Sequence, residues 1–200
     1  MAESISGGNV DSMNYNPDIH HRKSIRLKGY DYSQKGLYFI TICTQHRSHI
    51  FGKIEKGKMI LNEYGEIVKH VWQNLPNHYH NCSLDEFIIM PDHFHGIVTI
   101  DMDNNITCVN VGNGFKPFQI GLKQLSTGKS FQMHNKHGLP EIIRGFKTFS
   151  SRGINEINNG EKFHWQKSYY DHIIRNNVSL IRIRKYIINN PVNWERKNTK

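Results

Sequence analysis

The chain is short of acidic residues, poor in cysteine, and free of long apolar runs. Seventeen Asp and Glu stand against 26 Lys and Arg, leaving a net charge of +9. A surface of this charge favours phosphates, first nucleic acid and less often an anionic membrane. The three cysteines, Cys43, Cys82 and Cys108, are far apart and form no CxxC. That suggests neither a disulfide framework nor a zinc ribbon, and suits a reducing cytoplasm. No apolar segment approaches the length of a bilayer span, and no membrane partner is expected. The opening MAESISGGNVDSMNYNP has no basic region followed by an apolar one, so no secretory signal is expected.

What is present fits one domain of 200 residues. Residues 1–22 are polar and read as a flexible tail, with a basic end, HRKSIRLK, suited to phosphate. Residues 23–197 form the domain. LYFITICT (37–44) reads as a strand, and 52–61 as two short extended pieces about a turn. Asn62 to Leu75 has helical spacing at Ile67, Val68, Val71, Trp72 and Leu75, with Asn62 as N-cap and Pro76 past the end. Phe87–Met90 and His93–Ile100 read as strands joined at Pro91-Asp92, where a proline demands a turn or bulge. Residues 101–139 are rich in Gly and Asn without periodicity and read as an irregular insertion or hinge. A helix then follows Pro140, with Ile142, Ile143, Phe146, Phe149, Ile154 and Ile157 as its apolar stripe and Arg144, Lys147 and Arg152 opposite. The last helix runs from Val178 to Asn189, and Pro191 stops it. The order gives an α+β fold with a mainly antiparallel sheet backed by helices.

Among 13 histidines about one His-x-His pair is expected by chance, and two occur. His78 and His80 lie in a polar stretch without strand pattern and read as surface. His93 and His95, in IIMPDHFHGIVTI, are different. Strand alternation puts both imidazoles on one face, side by side, as two ligands of one metal require. Gly96 beside them would admit backbone or substrate. Asp92 points away by the same alternation and reads as a turn residue. The last helix carries Tyr186 and Asn190 four residues apart on one face, with Arg182 one turn earlier. Arg182, Arg184 and Lys185 make surroundings that favour phenolate and attract a phosphodiester. Tyr169 and Tyr170 are rival nucleophiles on chemistry alone, though their segment reads rather as packing or DNA contact.

Three elements occur in order: His-hydrophobe-His after Met-Pro-Asp; Trp165-Gln166 with Tyr170-Asp171-His172-x-x-Arg175; and Tyr186-x-x-x-Asn190-Pro191-Val192. Together with SIRLKG (24–29) and YFITIC (38–43), the set resembles the single-tyrosine HUH transposases, and more closely the REP-associated tyrosine transposases, over roughly residues 24–196. The resemblance implies a ferredoxin-like antiparallel sheet backed by helices. It also implies a single-stranded DNA endonuclease and strand transferase acting near DNA hairpins through a covalent 5′-phosphotyrosine. By position in the motif, Tyr186 would be the nucleophile, and His93 and His95 would be ligands of Mg²⁺ or Mn²⁺. Asn190 stands where related enzymes commonly place a Gln as third ligand. Lys185, Arg182, Arg144, Lys147 and Arg152 would hold the DNA backbone, while Trp165 and Tyr170 would stack on unpaired bases or pack in the core. A homodimer exchanging the tyrosine helix is one assembly used by relatives, a monomer the other. Rival readings are a non-catalytic DNA-hairpin-binding regulator derived from such an enzyme, another HUH task such as replication initiation, and an unrelated metal-dependent hydrolase.

Overall fold

The computed structural model describes residues 26–101 and 137–198. The tail and most of the 101–139 insertion lie outside the described residues. The elements in chain order are β1 (Gly36–Cys43), β2 (Gly52–Glu55), β3 (Lys58–Leu61), α1 (Glu63–Gln73), the four-residue α2 (Leu75–His78), β4 (Cys82–Met90), β5 (His93–Ile100), α3 (Leu139–Ile157), β6 (Tyr170–Ile174), α4 (Asn177–Ile188) and α5 (Asn190–Asn198). β4, β5, β1 and β6 form a four-stranded sheet in that order, and every neighbouring pair is antiparallel. With α1 and α3 as crossovers, β1-α1-β4-β5-α3-β6 is the doubled split β-α-β pattern of a ferredoxin-like fold. The β2–β3 hairpin is inserted after β1, and α4 and α5 are added after β6.

Local chemistry explains the boundaries. Asn62 Oδ1 accepts from the Gly65 amide at 3.0 Å and caps α1, whose first turn holds Glu63 and Glu66 against the helix dipole. Asn176 Oδ1 does the same for α4 through the Ser179 amide at 2.8 Å. The β2–β3 turn uses Lys56 and Gly57, both at positive φ, as a two-residue hairpin of this twist requires. Pro91 and Asp92 form the tight β4–β5 connection expected of them.

The two faces of the sheet carry different cargo. Tyr38, Ile40 and Ile42 of β1, with Phe94, Val98 and Ile100 of β5, pack under α1 and α3 in the main core. Trp72 is its centre, with ring centroids 4.5 Å from Phe94 and 5.3 Å from Phe146. The opposite face holds a smaller cluster. There Ile97 and Ile174 pack with Ile187, flanked by Leu37, Phe39, Leu180 and Ile183, so α4 covers this cluster.

Four expectations change. Pro191 does end the α4 run, but it also lies in the first turn of a further helix, α5, where its missing N–H falls among donors that no helix satisfies. Pro76 likewise opens α2. β4 starts at Cys82, five residues earlier than expected, with an irregularity between Leu84 and Phe87 that lets Asp85 reach α4. On α3, Phe149 and Ile157 are exposed, because the buried line passes through Ser150 to Ile154; Phe149 instead stacks on His78. His78 and His80 are exposed, as expected. Among the described residues no helix is long and apolar enough to cross a membrane.

Gly96 serves the core and not a ligand. It shares the core face with Phe94, and a Cβ there would sit 2.6 Å from the Trp72 ring and 2.8 Å from Phe94. Gly96→Ala is therefore expected to destabilise the fold by about 1–3 kcal/mol through overpacking, read as a lowered melting temperature. An unchanged melting curve would show that Trp72 has room to retreat.

Candidate active site

The site grows from the register of β1 against β5. Thr41 lies opposite His95 and Cys43 opposite His93, and all four side chains belong to the sheet face that α4 covers. Phe39 stacks on the His95 ring at 5.4 Å and meets the Tyr186 ring edge-on at 6.0 Å. α4 is packed down by Ile183 and Ile187 and held laterally by Arg184, whose guanidinium donates twice to the Asp85 carboxylate. These contacts bring Tyr186 over the imidazoles, its hydroxyl 3.3 Å from His95 Nε2, across 91 residues of sequence.

Both imidazoles are buried and oriented from behind. His93 Nδ1 is 2.5 Å from Asp92 Oδ1, and His95 Nδ1 is 2.8 Å from Thr41 Oγ1. With Nδ1–H donating to these oxygens, both Nε2 atoms present lone pairs to one spot, 3.1 Å apart. Burial first, then the neighbouring His93 charge, pushes the His95 pKa down to about 3, so its ring is neutral near pH 7. Burial pushes the Asp92 carboxyl up, but the His93 hydrogen bond and the charges of His93, Arg47 and His49 outweigh it and hold the group below its ordinary value. Asp92 thus does more than turn the chain: it fixes the His93 ring and accepts from Arg47.

Two imidazoles aimed at one point, each backed by an oxygen, are a donor pair suited to a divalent cation. Their 3.1 Å separation matches adjacent nitrogen ligands at roughly 2.1 Å from one ion. Asn190, buried and lining the same cleft, adds an amide group. Among the described residues no group of three or more His, Cys, Asp or Glu is placed to hold a metal. The set available is therefore two imidazoles, one amide and solvent, which leaves positions for a substrate.

The cleft over the histidines is about 750 Å³. Tyr170, exposed on edge strand β6, lines it with His93, His95, Tyr186 and Asn190. Other expected contacts fall elsewhere. Arg144 and Arg152 are exposed on α3, across the sheet from the cleft. Lys147, also on α3, donates to the carbonyls of Gln166 and Lys167. Trp165 is core, its Nε1 donating to Ser150 Oγ, so stacking on bases is not its role. Arg182 and Lys185 are exposed on α4 but do not line the cleft, and Arg184 is engaged by Asp85. Tyr169 is half-buried and its pKa is pushed up to about 12, chiefly by burial, which disfavours phenolate there.

The cleft wall that sequence reasoning missed is α5. Asn190, Asn193, Trp194 and Lys197, at i, i+3, i+4 and i+7, face the site with Arg196 beside them. α5 rests on the β2–β3 hairpin, with Val192 against Gly57, and Trp194 packs on His93 and His49. The helical spacing of these residues was the available signal, hidden because Pro191 read as a terminator. Arg47 and Thr41, also in the wall, carried no signal beyond their residue types.

No model of a protein family matches the chain. The REP-associated tyrosine transposase solved bound to a REP hairpin superposes with a TM-score of 0.50 at 16% identity, covering 84% of this chain and 73% of that one. A candidate transposase from Deinococcus radiodurans R1 overlaps with a TM-score of 0.44 at 15% identity, over 82% of this chain and 95% of that one. The first of these shares the fold; the second adds no weight. A protein of Haemophilus influenzae Rd, itself uncharacterised, is 41% identical over 182 residues, which are 90% of this chain and 94% of that protein. At that identity over nearly the full length of both, this chain belongs to the same family as the Haemophilus influenzae protein.

Proposed function

We propose that the chain is a single-tyrosine HUH transposase, a metal-dependent single-stranded DNA endonuclease and strand transferase acting near hairpins. The observation that carries this reading is the meeting of the Tyr186 hydroxyl with His95 Nε2 at 3.3 Å, beside His93. The ordered motifs support it, as does the fold shared with a transposase solved on a REP hairpin. In this reading the Tyr186 oxygen attacks phosphorus in line. The bond from Tyr186 to phosphorus forms and the bond from phosphorus to the 3′-oxygen breaks. The phenolic proton passes to solvent, and the departing 3′-oxygen takes one up. The product is a 5′-phosphotyrosine with a free 3′-OH, so the phosphodiester is conserved and rejoining needs no ATP. An Mg²⁺ or Mn²⁺ ion held by His93, His95 and the Asn190 amide would supply Lewis-acid stabilisation of charge at the phosphate. Phe39 and Trp194 keep the imidazoles dry on one side, and Arg196 and Lys197 offer backbone contacts nearer the cleft than Arg182 and Lys185 do. One chain supplies both histidines and the tyrosine, so this chemistry requires no helix from a second copy.

The test uses hairpin oligonucleotides with randomised single-stranded arms, incubated with Mg²⁺ or Mn²⁺ and resolved under denaturing conditions. A covalent protein–DNA adduct is expected. Tight hairpin binding with no adduct from any arm sequence would favour the regulator instead.

The backing oxygens make a separate prediction. Asp92→Ala and Thr41→Val leave both Nε2 donors in place but remove the acceptors that fix the tautomers. Each is expected to weaken Mn²⁺ binding roughly 10- to 100-fold, measured by calorimetry on the free protein. Equal affinity in all three proteins would show that the backing oxygens do not tune the donor pair.

A further inference from the structure

After β1 the chain makes one 3₁₀ turn, Gln45–Arg47, in which His46 and Arg47 both adopt left-handed backbone, at φ of 57° and 56°. Non-glycine residues enter this region at a free-energy cost, and two in succession persist only where the surroundings enforce them. Here they do. Thr44 Oγ1 donates to the carbonyls of Ser48 and Asp92, the Gln45 amide donates to the His164 carbonyl, and the Ser48 hydroxyl closes back on Gln45. The outcome of this bracing is the placement of one side chain: Arg47 reaches the cleft of the histidines and Tyr186.

Its contacts there are incomplete. The Arg47 guanidinium donates from Nη1 to Asp92 Oδ2 at 3.2 Å, a single bond to a buried carboxylate, while the Arg47 side chain is 56% exposed. A guanidinium has five N–H donors in a planar fork matched to phosphate and carboxylate oxygens. A single bond from a largely exposed guanidinium does not account for two left-handed residues. Among the described residues no carboxylate lines the cleft, and an anion entering it meets Arg47, Arg196 and Lys197. Arg196 and Lys197 lie in the last turn of the terminal helix, whereas Arg47 is fixed by the braced turn.

We propose that Arg47 binds a non-bridging oxygen of the phosphodiester that Tyr186 attacks, keeping one donor on Asp92 and turning the others to the phosphate. The proposal rests on the nuclease reading above and assigns Arg47 a contact with the reacting group. Because the fork touches Asp92 and phosphate together, the scissile group is held at a set position relative to the His93 ring.

Arg47→Gln and Arg47→Lys are compared with the unaltered protein on the randomised-arm hairpin pool. The rate of adduct formation at saturating DNA is expected to fall about 10²- to 10³-fold in Arg47→Gln and to recover partly in Arg47→Lys. In EDTA, used to suppress cleavage, the dependence of log affinity on log salt for the same pool should lose about 0.7 of slope in Arg47→Gln, as one phosphate contact is removed. Mn²⁺ affinity and melting temperature should stay unchanged, since His93 retains Asp92. An unaltered salt slope, or a loss of Mn²⁺ affinity matching the loss of rate, would overturn the proposal and leave Arg47 a support for Asp92. If the unaltered protein forms no adduct while the slope still falls, the phosphate contact stands and the tyrosine reading fails.

Discussion

Tyr186→Phe is expected to abolish the covalent adduct, lowering its rate by at least about 10³-fold, because the substitution removes the oxygen that would bond to phosphorus. Little else should change. The Tyr186 ring is half exposed and meets Phe39 and His95 edge-on, contacts that phenylalanine keeps. The hydroxyl has its contact with His95 Nε2 and is not buried in the core. Stability should therefore stay within about 0.5 kcal/mol, as for a surface substitution. Hairpin affinity should hold as well, which makes the variant a trap for non-covalent complexes. The neighbouring tyrosines give the contrast. Tyr169 is held neutral by burial and hydrogen-bonded by Arg26, so Tyr169→Phe should leave the adduct rate within a few-fold of the original. Tyr170 lies at the cleft rim, and its replacement should weaken DNA binding more than it slows chemistry.

His95→Ala carries the second large effect. The ring is buried, stacked on Phe39, and closest to the Tyr186 hydroxyl. Its loss removes one of two imidazole donors and the group beside the Tyr186 hydroxyl, and adduct formation should fall by about 10²-fold or more. His93→Ala should do similarly, since the two Nε2 atoms form one donor pair. Groups that act as a unit are non-additive, so the double variant should be scarcely slower than either single one. Chelation of the unaltered protein should bring it to the same level, and chelation of His95→Ala should change nothing further. Both replacements open space on the α4 face, so His95→Gln, which keeps volume and polarity, checks that any loss follows the lost imidazole and not a disturbed α4. Additive losses, or full activity in EDTA, would show that the histidines do not act through a metal.

Much of this site could be read from residue order alone. Strand alternation in DHFHGIVTI placed both histidines on one face, and Asn62, Pro91-Asp92 and the helical spacing from Ile142 to Ile154 fixed the elements around them. The resemblance to the single-tyrosine HUH transposases then pointed to Tyr186, which the fold brings to His95. What stayed hidden depended on long-range packing. Gly96 has a space beside it, but only the fold shows that Trp72 fills it. Trp165 and Lys147 carry residue types suited to DNA, yet the chain spends them on Ser150 and on backbone carbonyls. Asp92 alternates away from the histidines as a strand residue would, but it sits in the turn, where its carboxylate can swing back to His93. α5 was missed because proline ends one helix and starts the next equally well. Arg47 owes its place to two left-handed residues that no composition rule anticipates.

The account depends most directly on which atom becomes bonded to DNA. Digestion of the adduct formed on hairpin oligonucleotides, followed by mass analysis of the nucleotide-bearing peptide, should find one modified residue, Tyr186, joined through the 5′-phosphate, with the released strand ending in a free 3′-OH. Modification at Tyr169, Tyr170 or any other side chain, or a 3′-linked nucleotide, would contradict it.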